Sequence, residues 1–198
     1  MDLSGIVAIF GGGPSAGGPP PRNPDHMIFV NDRWKLGVAG RWSWMRAMGW
    51  SFSADQAWMK RASRDEEYLS RVPRDRRVGL DTGARIPQGV FGRVIRGVEC
   101  HEVRWARDLS EPIWMGNNSG LAAIGLADAA GAEEIHLLGF DLDGRDYDGT
   151  TSEAKRKAHD LFVRRFEAAA PLIRARVIDH SWSRRLQCFN GPEVLCSS

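Results

Sequence analysis

Short apolar runs alternate along this chain with segments of helical periodicity, and most of the runs end in small or polar residues. The runs are rich in Val, Ile, Leu and Phe, which favour strands. They cover residues 4–10, 26–30, 50–55, 133–141 and 175–179. The helical segments cover residues 56–71, 119–130 and 152–170. This alternation predicts an α/β domain with an open, mainly parallel sheet and helices on both faces.

The middle of the chain interrupts this alternation. Residues from about 60 to 112 are rich in Arg and Gly, and two short runs, 93–98 and 101–103, could be strands of a small insertion or of a β-ribbon. We therefore expect a single domain over residues 1–198 with an insertion at about 60–112. Such a segment would be a connecting flap, a lid or an acceptor-binding surface.

Three of the predicted strands end in polar side chains. Asn31 and Asp32 follow the second strand, Asp55 ends the third, and Asp141 ends the strand at 133–141. The carboxyl ends of parallel strands lie at one edge of a sheet, where open α/β sheets bind their ligands. We therefore expect these four residues to contribute to a binding site at that edge.

A glycine-rich loop follows the first strand directly. It contains Gly11 and Gly13, followed by Pro14 and Ser15. Glycines let the backbone approach a phosphate closely, with N–H groups pointing at it. The loop lacks the Gly-Lys-Ser/Thr of a Walker loop and fits the dinucleotide fingerprint poorly. It is therefore either part of a phosphate site or a flexible turn.

A second anion-binding element is predicted where the helix at 119–130 begins. Asn118 or Ser119 would cap this helix, and Gly120 follows them. The unpaired N–H groups and the dipole at a helix start favour an anion. The alternative is an ordinary capped helix before a buried strand.

Four carboxylates, those of Asp141, Asp143, Asp146 and Asp148, lie within eight residues. Their spacing is not that of an EF-hand. The run could hold Mg²⁺ near a phosphate, but an acidic turn is the interpretation that we favour. His159 lies at the edge of the apolar face of the following helix, so it belongs either to the surface or to the site.

The distribution of charge bears on partners more than the formal net charge of +2 does. Between Lys60 and Arg96 there are ten Lys or Arg and five Asp or Glu, whereas Asp128 to Glu153 holds eight acids and one Arg. This indicates a basic surface beside an acidic pocket rim, or else two solvated faces. A basic surface would suit nucleic acid, with binding that weakens as salt is added.

The composition excludes several other classes of protein. With 42% apolar and 26% charged residues, the chain has a soluble, globular composition. Its three cysteines lack metal-ligand spacing and fit a reduced, cytoplasmic protein. We predict neither a signal peptide nor a membrane span. Four tryptophans cluster at Trp42, Trp44, Trp50 and Trp58, which suits either a core or an aromatic-lined pocket.

Several of these motifs together resemble one family. They are Gly-x-Gly-Pro-Ser at Gly11 to Ser15, Val30-Asn31, the Ser-Gly that begins an Ala-rich helix, and the run from Gly131 to Asp141. The chain resembles the Rossmann-like group that joins bacterial lipooligosaccharide sialyltransferases, MptE-like pterin diphosphokinases and many phage and prophage proteins. The resemblance covers residues 4–58 and 113–190 and is greatest to the phage members.

The resemblance implies an activated nucleotide, a CMP-sugar or an NTP, at the carboxyl edge of the sheet. By position, the Gly13-Pro14-Ser15 segment would border the phosphate or ribose. Asn31 and the Ser119-Gly120 pair would contact the nucleotide, and His180-Ser181 would lie near the base.

Two departures from the family bear on the chemistry. Gly12 stands where the sialyltransferases usually have Asn. Their His-rich segment, which supplies the general base, corresponds here to residues 144–158, which contain no His. The candidate catalytic residues are therefore Asp141, Asp146, Asp148 and His159, since a carboxylate or an imidazole within hydrogen-bond reach can act as a base.

The expected function is that of a nucleotide-dependent transferase, a phage-type glycosyltransferase-like enzyme in the host cytoplasm. It would move a group from a CMP- or UDP-sugar to a hydroxyl acceptor, with phage DNA as one candidate. Two alternatives stay open: pyrophosphoryl transfer from ATP with Mg²⁺, as in the pterin kinases, and nucleotide binding without catalysis. We assign no residue as a metal ligand and predict no oligomeric state.

Overall fold

A computed structural model describes residues 1–18, 20, 23–38, 49–83, 86, 89–145 and 150–189. In this part of the chain, eight strands form one sheet in which every pairing is parallel. The prediction of an open α/β sheet is therefore confirmed. The strands are β1 (Gly5–Phe10), β2 (His26–Val30), β3 (Gly49–Ser53), β4 (Arg77–Asp81), β5 (Arg93–Val98), β6 (Ile113–Trp114), β7 (Ala132–Leu138) and β8 (Arg176–Asp179).

Helices cover both faces of the sheet, as predicted. They are α1 (Trp34–Val38), α2 (Gln56–Ala62), α3 (Glu66–Arg71), α4 (Ser119–Ala129) and α5 (Glu153–Ala169). Side chains alternate between the faces along each strand. Val7 and Ile9 of β1 belong to the core that includes α4 and α5, whereas Ala8 and Phe10 belong to the core that includes α2 and α3.

The order of the strands places a crevice next to β1. Across the sheet the order is β6-β5-β4-β3-β2-β1-β7-β8. From β1 to β6 the chain therefore advances in one direction, and β7 then returns to the opposite side of β1. This reversal between β1 and β7 is a topological switch point, where open α/β sheets leave a crevice for ligands at the strand ends.

Residues 60–112, which we expected to form an insertion, contribute strands to the main sheet. β4 pairs with β3, and β5 pairs with β4, both in parallel. The run at 93–98 is β5, and residues 101–103 form no strand. The β-ribbon that we considered is therefore not what this segment forms.

A buried arginine at the start of β4 explains why this strand was not predicted from the sequence. Arg77 begins the strand and is only 6% exposed. Its guanidinium donates to the carbonyl oxygens of Val72 at 2.8 Å, Val90 at 3.1 Å and Leu69 at 2.6 Å. Because carbonyl groups satisfy its donors, this cation lies in the interior despite the cost of burying a charge.

Side-chain caps set two helix boundaries. Residues 56–71 form two helices because the Asp65 carboxylate accepts the N–H of Tyr68 at 3.1 Å and starts α3. Ser152 caps α5 through its hydroxyl, which accepts the N–H of Lys155 at 3.1 Å. The second of these caps was predicted from the sequence.

The tryptophan cluster contributes to the core. Trp50 and Trp58 are buried, on opposite faces of the sheet. Trp42 and Trp44 lie outside the described residues. Among the helices of the described ranges, none is both long enough and apolar enough to cross a membrane.

Candidate functional site

A cleft of about 620 Å³ runs across the carboxyl ends of the strands, at the switch point. It reaches from the loops after β1 and β7 to residues that follow β3, β4 and β5. The structure thus brings together much of what the sequence predicted at this edge. Eight predicted site residues line the cleft: Gly11, Gly13, Asn31, Asp55, Asn118, Ser119, Gly120 and His159.

The start of α4 opens into this cleft with unpaired donors. Asn118 is the N-cap, and its Oδ1 accepts the N–H of Leu121 at 2.9 Å. In the described part of the chain, no acceptor contacts the N–H groups of Ser119 and Gly120 or the Ser119 hydroxyl. A Cβ on Gly120 would lie 2.6 Å from the Phe140 ring, so only glycine allows this close approach. The helix start therefore presents three donors to a ligand.

The glycine loop donates most of its N–H groups to the protein. The N–H of Gly11 donates to the carbonyl of Leu138 at 2.7 Å, and that of Gly13 donates to the carbonyl of Gly139 at 2.7 Å. Among the loop glycines in the described structure, only Gly12 has an N–H without a protein acceptor. The loop is thus pinned to β7 and offers a ligand one N–H rather than the several that we expected.

A residue that the sequence did not single out sets the orientation of this loop. Arg33 donates from Nε to the carbonyl of Gly11 at 2.8 Å and from Nη2 to that of Gly13 at 2.9 Å, and Nη2 also contacts the Gly12 carbonyl. Three consecutive carbonyls therefore accept from one guanidinium. The only signal in the sequence was the position of Arg33, directly after the polar end of the second strand.

The two neighbouring glycines provide a matched test of this packing. A Cβ on Gly13 would lie 2.3 Å from Oδ2 of Asp141, whereas one on Gly12 would meet nothing within 4 Å. Gly13→Ala is expected to lower the free energy of unfolding by about 2–3 kcal/mol, the usual cost of overpacking, which is about 4–12 °C in melting temperature for a chain of this size. Gly12→Ala is expected to unfold within about 0.5 kcal/mol of the wild type.

Thermal and urea unfolding of both variants measure this difference. Equal stability of the two would contradict the tight contact between the glycine loop and Asp141.

Asp141 lies beneath the cleft rather than in its lining. Its side chain is fully buried. Oδ2 accepts the N–H of Ser15 at 2.9 Å and the Ser15 hydroxyl at 2.8 Å, and Oδ1 accepts the N–H of Trp182 at 3.1 Å. Pro14 begins the short 3-10 turn that carries Ser15, and neither residue lines the cleft. Asp141 and Ser15 therefore hold loops together below the site.

His180 and Ser181 also lie outside the cleft lining. The Ser181 hydroxyl is buried, donates to Oδ1 of Asp179 at 2.6 Å and accepts the N–H of Phe140 at 2.9 Å. Burial raises the pKa of Asp179, and the negative charge of Asp141 raises it further. Ser181 is therefore a structural link between the ends of β7 and β8.

The imidazole of His180 contacts another imidazole. Its Nε2 lies 2.8 Å from Nδ1 of His136, whose own Nε2 lies 2.8 Å from the Glu134 carboxylate. Burial lowers the pKa of His180, and His136 lowers it further. Asp32, the remaining predicted contact, lines a separate cavity beside Trp34.

His159 reaches the cleft from the first half of α5. Its Nδ1 accepts the N–H of Gly144 at 2.9 Å. A neutral imidazole with Nδ1 as acceptor carries its proton on Nε2. His159 therefore has the tautomer of a proton donor rather than of a base.

The acidic run is only partly described. Asp146 and Asp148 lie outside the described residues. Asp143 accepts from Nε of Arg145 at 2.7 Å, and this hydrogen bond lowers the pKa of Asp143. Arg145 lines the cleft. Across the described ranges, no three His, Cys, Asp or Glu residues are grouped as metal ligands would be.

Sequence reasoning missed several lining residues because it did not place β4 and β5 in the sheet. Thr82 follows β4 and accepts from Nε2 of Gln56 at 2.7 Å. Glu99 follows β5, and its Oε2 accepts the N–H of Asn117 at 3.0 Å. Asn117, one residue before the cap of α4, has a left-handed backbone with φ of 51°. The positions of Thr82 and Glu99 directly after strand ends are the signal that could have found them.

Comparison of the chain with protein-family models, with curated proteins and with solved structures finds no match.

Proposed function

We propose that the cleft binds the phosphate of a nucleotide and that the protein is a nucleotide-dependent transferase of the glycosyltransferase-like type. The observation that carries this proposal is the start of α4. Two backbone N–H groups and one hydroxyl, from Ser119 and Gly120, have no acceptor in the described structure and lie in the cleft lining. Such a helix start favours an anion through its donors and its dipole.

The surroundings of the helix start support the same ligand. In the described structure the N–H of Gly12 is a further donor without a protein acceptor, and Arg145, which is paired with Asp143, is the one Lys or Arg among the described lining residues. The cleft also lies at the switch point between β1 and β7, the usual place for a nucleotide in an open α/β sheet. Its volume of about 620 Å³ lies in the range of small-molecule sites.

One lining residue, Asp55, has the chemistry of a base for group transfer. The acceptor hydroxyl oxygen would form a bond to the transferred carbon, while the bond from that carbon to the phosphate oxygen breaks and leaves its electron pair on the phosphate. Asp55 would take the proton of the acceptor hydroxyl, since within the described ranges only its Oδ1 accepts a hydrogen bond, from the N–H of Trp58 at 3.0 Å. The donors of α4 would stabilise the charge on the leaving phosphate.

A thermal-shift screen tests the proposal. Probes are CMP, CMP-sugars, UDP-sugars, and ATP with and without Mg²⁺. A ligand at 100 times its dissociation constant stabilises by about 2.7 kcal/mol, or about 5–10 °C for this chain length. We expect such a shift with a CMP or UDP species and its loss in Ser119→Tyr, whose ring would occupy the space next to the α4 donors.

The matched control is Ser70→Tyr, at an exposed position on α3 outside the cleft lining. It is expected to keep the full shift. The absence of a shift with every nucleotide, or a shift that persists in Ser119→Tyr, would overturn the proposed site. A shift that requires both ATP and Mg²⁺ would replace sugar transfer with pyrophosphoryl transfer.

A further inference from the structure

The part of the cleft over the ends of β2, β3 and β4 differs chemically from the part beside α4. It is lined by Asn31, Asp55, Gln56 and Thr82, which we call the polar half. If the phosphate binds at α4, as proposed above, the polar half is the part of the cleft that the nucleotide leaves uncovered. The inference below rests on that proposed function.

Gln56 and Thr82 form a prearranged hydrogen-bonding pair. Nε2 of Gln56 donates to Oγ1 of Thr82 at 2.7 Å. This bond orients both side chains, and in the described structure it leaves the Oε1 acceptor and the second N–H of Gln56 and the hydroxyl proton of Thr82 without a protein partner. Acceptor and donor groups therefore lie side by side after two adjacent strands, at the start of α2 and in the loop after β4.

Asn31 extends this array to the neighbouring strand. Its Oδ1 accepts the hydroxyl of Ser53 at 2.8 Å, which leaves the Nδ2 amide as a donor. The backbone of Asn31 is left-handed, with φ of 53°, a conformation that is uncommon for a residue other than glycine and that recurs at ligand sites. Neighbouring strands lie about 4.8 Å apart. The polar groups of Asn31, Gln56 and Thr82, which follow three neighbouring strands, are therefore spaced on the scale of one sugar ring.

The charges around the polar half disfavour a polyanion. Asp55 brings a carboxylate to this side of the cleft, while Arg145 lies in the loop after β7 and is paired with Asp143. A phosphate-rich polymer at this side would meet a like charge, which costs binding energy.

Two arginines of the middle segment lie at the other edge of the sheet. Arg76 and Arg93 stack on Trp50, 4.7 and 5.5 Å from the ring, at the amino ends of β3, β4 and β5. Five residues of strand, about 16 Å at 3.3 Å per residue, separate that edge from the cleft. Nucleic acid held by these arginines would therefore lie away from the site.

We infer that the polar half binds an uncharged, polyhydroxylated ring of the acceptor. Asn31, Gln56 and Thr82 supply donors and acceptors in alternation, which suits hydroxyl groups that both donate and accept. Asp55 lies among them, where it can receive the proton of the reacting hydroxyl.

Ligand-observed saturation-transfer NMR on the full chain tests this inference. The probes are methyl β-glucoside, methyl β-galactoside and a short oligothymidylate, each with and without the nucleotide found in the screen. We expect glycoside binding that becomes about tenfold weaker in Thr82→Val, the loss of roughly one hydrogen bond. Nucleotide affinity is expected to stay within about twofold, well under the tenfold that one lost hydrogen bond gives. Ser70→Ala, on the surface of α3, is the matched control and should bind as the wild type does.

Two results would overturn the inference while leaving the proposed function intact. One is oligothymidylate binding that Thr82→Val weakens in place of glycoside binding. The other is nucleotide binding that Thr82→Val weakens as strongly as Ser119→Tyr does, because the nucleotide would then fill both halves. A wild-type protein that binds glycoside but no nucleotide would contradict the proposed function instead.

Discussion

Replacement of Asp141 by alanine is expected to lower the free energy of unfolding by about 4 kcal/mol, since each buried donor left unsatisfied costs about 1–3 kcal/mol. Its carboxylate accepts three hydrogen bonds, two from Ser15 and one from Trp182, and its removal leaves these donors without their acceptor. For a chain of this length, the loss corresponds to a fall of about 8–16 °C in melting temperature. Chemical and thermal unfolding measure it directly.

Asp143→Ala is the matched control for Asp141→Ala. Asp143 also belongs to the acidic run, but its partner Arg145 is exposed, so the pair contributes little. Its loss is expected to cost less than about 1 kcal/mol. An Asp141→Ala protein as stable as Asp143→Ala would show that Asp141 does not hold the loops, and would return it to the list of candidate catalytic groups.

Replacement of Asp128 by alanine is expected to cost a similar amount, about 4 kcal/mol. Asp128 lies in α4 and is 3% exposed. Its Oδ1 accepts the N–H groups of Arg174 at 3.0 Å and Ala175 at 2.8 Å, and its Oδ2 accepts the indole N–H of Trp105 at 2.8 Å. One carboxylate therefore joins α4 to the segment before β8 and to the chain between β5 and β6.

The unfolding of Asp128→Ala should be compared with that of Asp160→Ala. Asp160 is exposed and pairs with Arg185 at 2.6 Å, a contact that is expected to contribute less than about 1 kcal/mol. Asp128→Asn keeps one acceptor for the backbone N–H groups, so its loss of unfolding free energy should lie between those of Asp128→Ala and Asp160→Ala. If Asp128→Ala and Asp160→Ala lose the same stability, the junction at Asp128 is not the anchor that the hydrogen bonds indicate.

The acidic residues of this protein fall into two groups, those that hold the fold together and those that line the cleft. Asp141 and Asp128 are buried and saturated with donors, whereas Asp55 and Glu99 line the cleft. The sequence grouped Asp141 with the candidate catalytic residues because it ends a strand. Its burial beneath the glycine loop follows from a contact with Ser15, 126 residues earlier in the chain, which no local pattern reports.

Local signals predicted the elements that depend on neighbouring residues. The strands β1, β2 and β3 and the caps at Asn118 and Ser152 were recognisable because alternation and capping act over a few residues. The strands β4 and β5 were not placed in the sheet. Their place depends on long-range pairing and on the burial of Arg77 by carbonyl groups, which override the charged composition of the segment.

By itself, the sequence determined the α/β class, the parallel sheet, and the polar edge at which Asn31, Asp55 and Ser119 meet. It could do so because side-chain periodicity and strand-end polarity are properties of consecutive residues. Only the tertiary structure decided which polar groups face the cleft and which are used within the protein. That division depends on partners far apart in the chain: the guanidinium of Arg33 on the glycine loop, and β7 accepting the loop N–H groups. A hydrogen bond formed inside the fold removes a group from binding, and such bonds are set by packing, not by spacing along the chain.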